Sequence, residues 1–351
     1  MMADIFPTSE HQVLWAAAFL GLFFGAIAQW SRFCAVRSLY DWWYRAHKGK
    51  LGGFLLAMLT ALLASQLLAF SGQINLNETH YAARSVALLL VPLGGLIFGL
   101  GMSLSNACGA RSLVLLGEGN LRSLVVLLAL AVGAAMTLSG LVAPVRIWLE
   151  DLSRIPLPVT TVPEIFQSMG LATGTATLLG VVIPSLLLSV AIYKGCARQL
   201  SARDIAGGIA VGLLVTGGWW ITGVIGDDDF DPHRLISLTF VAPLSDGLQY
   251  LMLSTGTRLQ FGTVVVYAIV AGSLFMALVS GSFRWQGFHS TAQLGKAISG
   301  GLLMGIGGVM ALGCTLGQGL TGFSTLALSS FLAIVGIVAG ARTGFFLQSQ
   351  N

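Results

Sequence analysis

Charge is what this 351-residue chain lacks most: only 9% of it is Asp, Glu, Lys or Arg, where a soluble domain carries roughly 25%. Hydrophobic residues make up 55% and the mean hydropathy is +0.84. These values exclude an ordinary soluble globular protein and predict an integral membrane protein. No polar block is long enough to hide a separate soluble domain. The four cysteines include no C-x-x-C pair, so they read neither as a disulfide framework nor as a dithiol redox motif. The five histidines show no metal-ligand spacing, no nucleotide-binding loop is present, and a net charge of +4 says little for nucleic acid. Residues 1–12 lack the positive n-region of a signal peptide, so the first apolar run is expected to stay as a span.

A spanning helix needs about 20 mostly apolar residues. The pattern predicts an all-α polytopic membrane protein with about nine such helices, at 13–30, 52–71, 86–105, 123–145, 170–193, 205–225, 262–281, 297–314 and 324–346. The stretch 236–258, interrupted by Pro243, Asp246 and Gly247, reads as re-entrant or interfacial. Alternate loops then differ in charge. One side collects 13 of the 18 basic residues against three acids, Asp41, Glu118 and Asp204; the other holds the remaining 11 acids, including Asp227-Asp228-Asp229-Phe230-Asp231. By the positive-inside rule the basic side is cytoplasmic. The N-terminus is then periplasmic and the C-terminus cytoplasmic, which an odd span count requires.

Within this apolar background one frame recurs. Gly21, Gly25 and Cys34 read G-x3-G-x8-C, as do Gly95, Gly99 and Cys108, and Gly301, Gly305 and Cys314; Gly208 and Gly212 keep the glycines but place Ile221 at the third position. The first two copies run from outside to inside and the other two run back. That arrangement predicts two inverted four-helix halves, 1–150 and 205–351, joined by a linker and crossing span over 151–204. Each cysteine segment is polar and non-helical in character, which is tolerated at membrane depth only where it lines a cavity or is buried in protein. Three thiols in one register point to soft or sulfur-containing cargo. Cys34 and Cys108 both open C-x-x-R-S-L, so Arg37 and Arg111 fall on the cytoplasmic side of their thiols, where cations would attract a departing anion. They also serve equally well as positive-inside anchors. Cys314 is followed by Gly317-Gln318-Gly319, with no arginine.

Three segments, Cys34-Ala35-Val36-Arg37-Ser38, Asn106-Ala107-Cys108-Gly109-Ala110-Arg111-Ser112-Leu113 and Gly313-Cys314-Thr315-Leu316-Gly317-Gln318-Gly319, resemble the YeeE/YedE family of bacterial inner-membrane sulfur transporters. The resemblance implies an hourglass closed at its middle. It also implies import of thiosulfate or a related sulfur anion through a relay of Cys34, Cys108 and Cys314 acting by S–H hydrogen bonds; from their positions beside these thiols, Arg37, Arg111, Asn106 and Gln318 are expected as supporting or exit residues. Some family members work with a TusA-like sulfur-carrier protein, and others are linked to selenium; no cofactor or metal is implied. Neutral thiols are weak donors, able to bind an anion and release it, as conduction requires.

Blander readings stand beside these. A single cysteine in a membrane helix is usually a small apolar filler, and that is the reading for Cys196. Glycine pairs four apart are ordinary devices of helix packing. Competing functions are transport of a selenium species or a soft metal, and membrane thiol redox exchange. The absence of a close cysteine pair and of Met-x-x-Met clusters counts against the last two.

Overall fold

A computed structural model describes residues 9–156, 158–227, 234–288 and 290–349. Asp228, Asp229, Phe230 and Asp231 of the acidic run, with His233 and His289, lie outside the described residues. Among the described residues nine long helices dominate: α1 (Ser9–Ser31), α3 (Gly49–Phe70), α4 (Leu90–Ser105), α6 (Leu121–Leu138), α9 (Thr173–Gly195), α10 (Ala202–Trp220), α12 (Phe261–Val279), α13 (Thr291–Met310) and α14 (Leu328–Ser349). Each falls on one of the nine expected spans, with ends shifted by up to seven residues. Eight helical stretches of the described residues are long and apolar enough to cross a membrane. The remaining helix, α13, has 20 residues, which rise about 30 Å, but its six glycines dilute its hydropathy.

Shorter elements fill the joints. Helices α2 (Ala35–Tyr44), α5 (Gly109–Gly117) and α11 (Val241–Met252) follow breaks, while α7 (Ala143–Ser153) and α8 (Val162–Ser168) lie in the connection before α9. The expected span at 123–145 therefore ends at Leu138. The expected span at 86–105 begins at Leu90, because β1 (Ser85–Ala87) pairs antiparallel with β2 (Arg154–Pro156). Local signals set the starts. Asn120 accepts from the Arg122 amide at the head of α6, and Ser201 with Asp204 forms a capping box on α10.

The glycine frames decide how the long helices pair. A Cβ on Gly25 would stand 2.2 Å from the Ile269 carbonyl oxygen, locking α1 on α12. Gly99 seats α4 on α14, 2.2 Å from the oxygen of Ile337; Gly208 seats α10 on α3, 2.4 Å from Gly53; Gly305 seats α13 on α6, 2.3 Å from Leu130. No side chain fits at such distances, so the backbones make the close approach that supplies van der Waals association where water cannot drive it. A methyl group there would part the helices and destabilise the fold by about 1–3 kcal/mol.

α1 also meets α10, and α4 meets α13. Exchanging α1 with α10, α3 with α12, α4 with α13 and α6 with α14 maps this set of pairings onto itself. The short helices obey the same exchange: α2 packs on α3 and α14, and α11 on α12 and α6. α9 stands outside this set, against α3 and α8, with Leu178, Leu186, Leu187 and Tyr193 exposed, as suits a lipid-facing helix. The largest buried side chains, Trp219, Tyr81, Phe24, Phe98 and Phe240, surround the centre.

Candidate functional site

All three cysteines of the recurring frame sit at one kind of backbone break. Arg32 (φ 54°), Asn106 (φ 54°) and Leu312 (φ 59°) adopt the left-handed conformation, each two residues before its cysteine. A non-glycine residue there costs about 1–2 kcal/mol, so the surrounding fold imposes the break. The chain then restarts as a short helix with cysteine just ahead of its first turn: Cys34 before α2, Cys108 before α5, and Cys314 before a helical segment over 315–324 that is wound as a π-helix at Gly317–Gly322. Cys34 Sγ accepts from the Arg37 amide at 3.4 Å, and Cys314 Sγ from the Gly317 amide at 3.3 Å. Because these sulfurs accept from the helix end, their S–H protons remain free to donate elsewhere.

The breaks converge. Cys34 and Cys108 line one crevice with Phe24, Phe33, Arg111 and Leu316, and both Cys34 and Cys314 lie within electrostatic reach of Cys108. The crevice has a volume of about 10 Å³, room for at most one water. Cys108 and Cys314 are buried, Cys34 partly so. Three helix N-termini thus come together near one crevice, each carrying up to about half a positive charge.

Two larger cavities have linings that reach the segment around Cys314. One of about 720 Å³ runs past His80, Arg234 and Arg258 to Leu312 and Gly313. The other, about 400 Å³ and mostly apolar, begins at Lys48, Ser38 and Cys196 and reaches Ala35 and Thr315. Their linings come within one residue of Cys314 in the sequence, at Gly313 and at Thr315. His80 opens onto the first cavity. Enclosure by protein holds its pKa down, to about 4; a backbone hydrogen bond with Leu312 opposes that shift and the charge of Arg234 reinforces it.

A family comparison fits this geometry: the family described as sulphur transport matches residues 30–343, a range that takes in all three breaks. The chain belongs to the sulphur-transport (YeeE/YedE) family. Among similar proteins are two called thiosulfate transporter TsuA. The one from Spirochaeta thermophila is 26% identical over 339 residues, spanning 94% of this chain and 98% of the relative. The one from Escherichia coli is 23% identical over 343 residues, spanning 93% and 92%. Together with its apolar helices, this membership makes the chain a multi-pass membrane protein of a transporter family.

The supporting residues of this family member divide. Arg111 lies in the crevice, its Nη2 held by Glu118 at 3.2 Å and its buried Nη1 without a hydrogen-bond partner. Arg37 is exposed and spent on Asp41, which Arg45 also approaches. Asn106 forms the left-handed turn with its side chain exposed. Gln318 is fully buried and donates to the Ala311 carbonyl at 2.6 Å, tying the 315–324 segment to the end of α13. Cys196 is buried against Gly52 at the end of α9.

Two participants were not foreseen. Glu118 stands two helical turns after Arg111, a spacing that could have flagged the pair. Phe240 is the other. Pro243, read from sequence as an interruption, instead sits in the first turn of α11, where proline is tolerated. Phe240 immediately precedes that helix. Ile221, by contrast, lies in a helix that runs unbroken through 202–225.

Proposed function

We propose that this protein imports thiosulfate or a closely related sulfur-containing anion through the constriction of Cys34, Cys108 and Cys314, in a bacterial inner membrane with its N-terminus periplasmic. The observation that carries the reading is the meeting of three thiols at one tight crevice, with cavities whose linings include Gly313 and Thr315, the sequence neighbours of Cys314, in a member of the sulphur-transport family. The relatives' names supply the cargo.

The chemistry follows from the helix breaks. A dianion entering the outer cavity meets three helix ends and three neutral S–H donors, which attract it without a fixed counter-ion. The guanidinium of Arg111 would hold a dianion too long if bare; Glu118 offsets its charge and leaves one N–H pair to steer the ion onward. Moving two negative charges into a cell costs about 4.6 kcal/mol per 100 mV of inside-negative potential. Net uptake therefore rests on a concentration gradient, a co-transported ion or consumption of the product, and a TusA-like carrier at the cytoplasmic face would provide the last. The exchange symmetry of the helix pairings supports descent of the halves 1–150 and 205–351 from one inverted repeat around the 151–204 linker.

The test is labelled thiosulfate uptake in a bacterium without its own sulfate and thiosulfate importers, comparing parent and Cys108→Ala at matched membrane levels. Uptake by the parent and its loss in the variant is expected. A well-expressed parent that takes up no thiosulfate refutes the cargo, and a fully active Cys108→Ala refutes the thiol relay.

A further inference from the structure

Four short helices start near the constriction, yet only three carry a thiol ahead of the first turn. The fourth is α11, which under the helix exchange takes the place of α2, so that Phe240 stands where α2 has Cys34. The placement is close as well as formal. Phe240 is fully buried, its backbone approaches the Cys314 sulfur, and its Cβ lies 3.9 Å from where a Cβ on Gly109 would be, beside Cys108. Its ring packs on Phe24 with centroids 5.7 Å apart, and Phe24 lines the crevice with Cys34 and Cys108. An aromatic pair therefore bridges the Cys314 side of the closure to the side of the other two thiols.

We infer that Phe240 is the residue that sets anion selectivity at this constriction, its ring acting as an apolar gate that admits an anion with a soft, weakly hydrated sulfur end and turns away one surrounded by oxygen. The inference rests on the proposed transport of thiosulfate. Sulfate and thiosulfate have the same charge and nearly the same shape, so helix ends and Arg111 attract both. They differ at one atom. The terminal sulfur of thiosulfate is large, polarizable and poorly hydrated, so it can pass an aromatic ring with little loss, as thioether sulfur does. A sulfate oxygen must shed a tightly held water against the same ring, and the site offers only weak thiol donors in return. Apolar constrictions gate by that dewetting cost. A ring held by packing alone, with no hydrogen bond to break, can swing aside for a passing ion, whereas a fourth thiol would add a donor and blur the distinction.

The experiment loads proteoliposomes with purified parent, Phe240→Ala or Phe240→Leu and measures uptake of labelled thiosulfate and labelled sulfate in parallel. Thermal unfolding of each protein is followed in detergent. The parent is expected to take up thiosulfate and exclude sulfate. In Phe240→Ala the thiosulfate-to-sulfate uptake ratio should fall by about tenfold, mainly because sulfate now enters, with Phe240→Leu between the two. Should the alanine variant fail to fold, the leucine variant carries the same comparison. An unchanged ratio in variants that still transport thiosulfate overturns the inference. Loss of thiosulfate uptake in folded Leu and Ala variants alike also overturns it, by making the ring a requirement for passage. A parent that moves neither anion overturns the transport reading and the inference with it.

Discussion

Replacing Cys314 first by serine and then by alanine separates the two things its sulfur does. It accepts the Gly317 amide at 3.3 Å, capping the 315–324 segment, and under the proposed relay its S–H would donate to the passing anion. Alanine removes both. Losing a side-chain cap costs about 1 kcal/mol, so in a chain this long the melting temperature should drop by only about 1–3 °C. Serine keeps an acceptor for the same amide and should melt within about a degree of the parent. The two roles then part in transport. If the thiol is a relay group, both variants lose uptake by tenfold or more, equivalent to at least 1.4 kcal/mol on the barrier. If sulfur matters only as a cap, serine restores uptake. Initial rates of labelled thiosulfate uptake in vesicles, set beside melting curves, decide the matter. Serine uptake within twofold of the parent, at matched protein, would refute the relay.

Arg111→Gln should raise the half-saturating thiosulfate concentration several-fold and cost about 1–3 kcal/mol of stability through the orphaned Glu118, whereas exposed Arg37→Gln should stay within about twofold of the parent; concentration series for both check this, and the reverse order would show the sorting of the two arginines to be wrong. His80 begins to gain positive charge only as pH falls toward about 4, so uptake should show no His80-dependent rise between pH 8 and 5.5. A rise near pH 6 that vanishes in His80→Asn would contradict that. Cys196→Ala should transport and melt like the parent; a folded but inactive variant would place this cysteine on the pathway.

The long helices were legible because apolar runs of about 20 residues have one meaning in a membrane, and the recurring glycines mark where backbones touch. The breaks were legible in kind, since polar residues interrupt each frame near its cysteine. Only Asn106, though, carries a residue type known for the left-handed conformation. Arg32 and Leu312 adopt the same φ because packing overrules their preference. The central pair of phenyl rings was hidden for another reason. Phe24 lies within an ordinary apolar helix, and Phe240 is separated from the glycine frame it follows by a connection after Ile225 whose length breaks the register. Charge bookkeeping alone could not separate Arg37 from Arg111 either, because Asp41 and Glu118 both follow their arginines on the same helix, and only burial distinguishes a surface pair from one in the crevice.

Every glycine frame packs against a helix from the opposite half: α1 on α12, α4 on α14, α10 on α3 and α13 on α6. This has a consequence for biogenesis. When the first 150 residues have entered the bilayer, the glycine faces of α1 and α4 still have no mate. Synthesis proceeds at about 5–20 residues per second, so roughly 10–40 s pass before α14 is complete. During that interval the nascent chain waits with bare backbone grooves turned to lipid. The protein is knit together only at the end, as α14 closes on α4, and because the crevice takes Leu316 from the late helices beside Cys34 and Cys108, no complete passage exists until then. A cell that makes it thus inserts no leaky half-channel along the way.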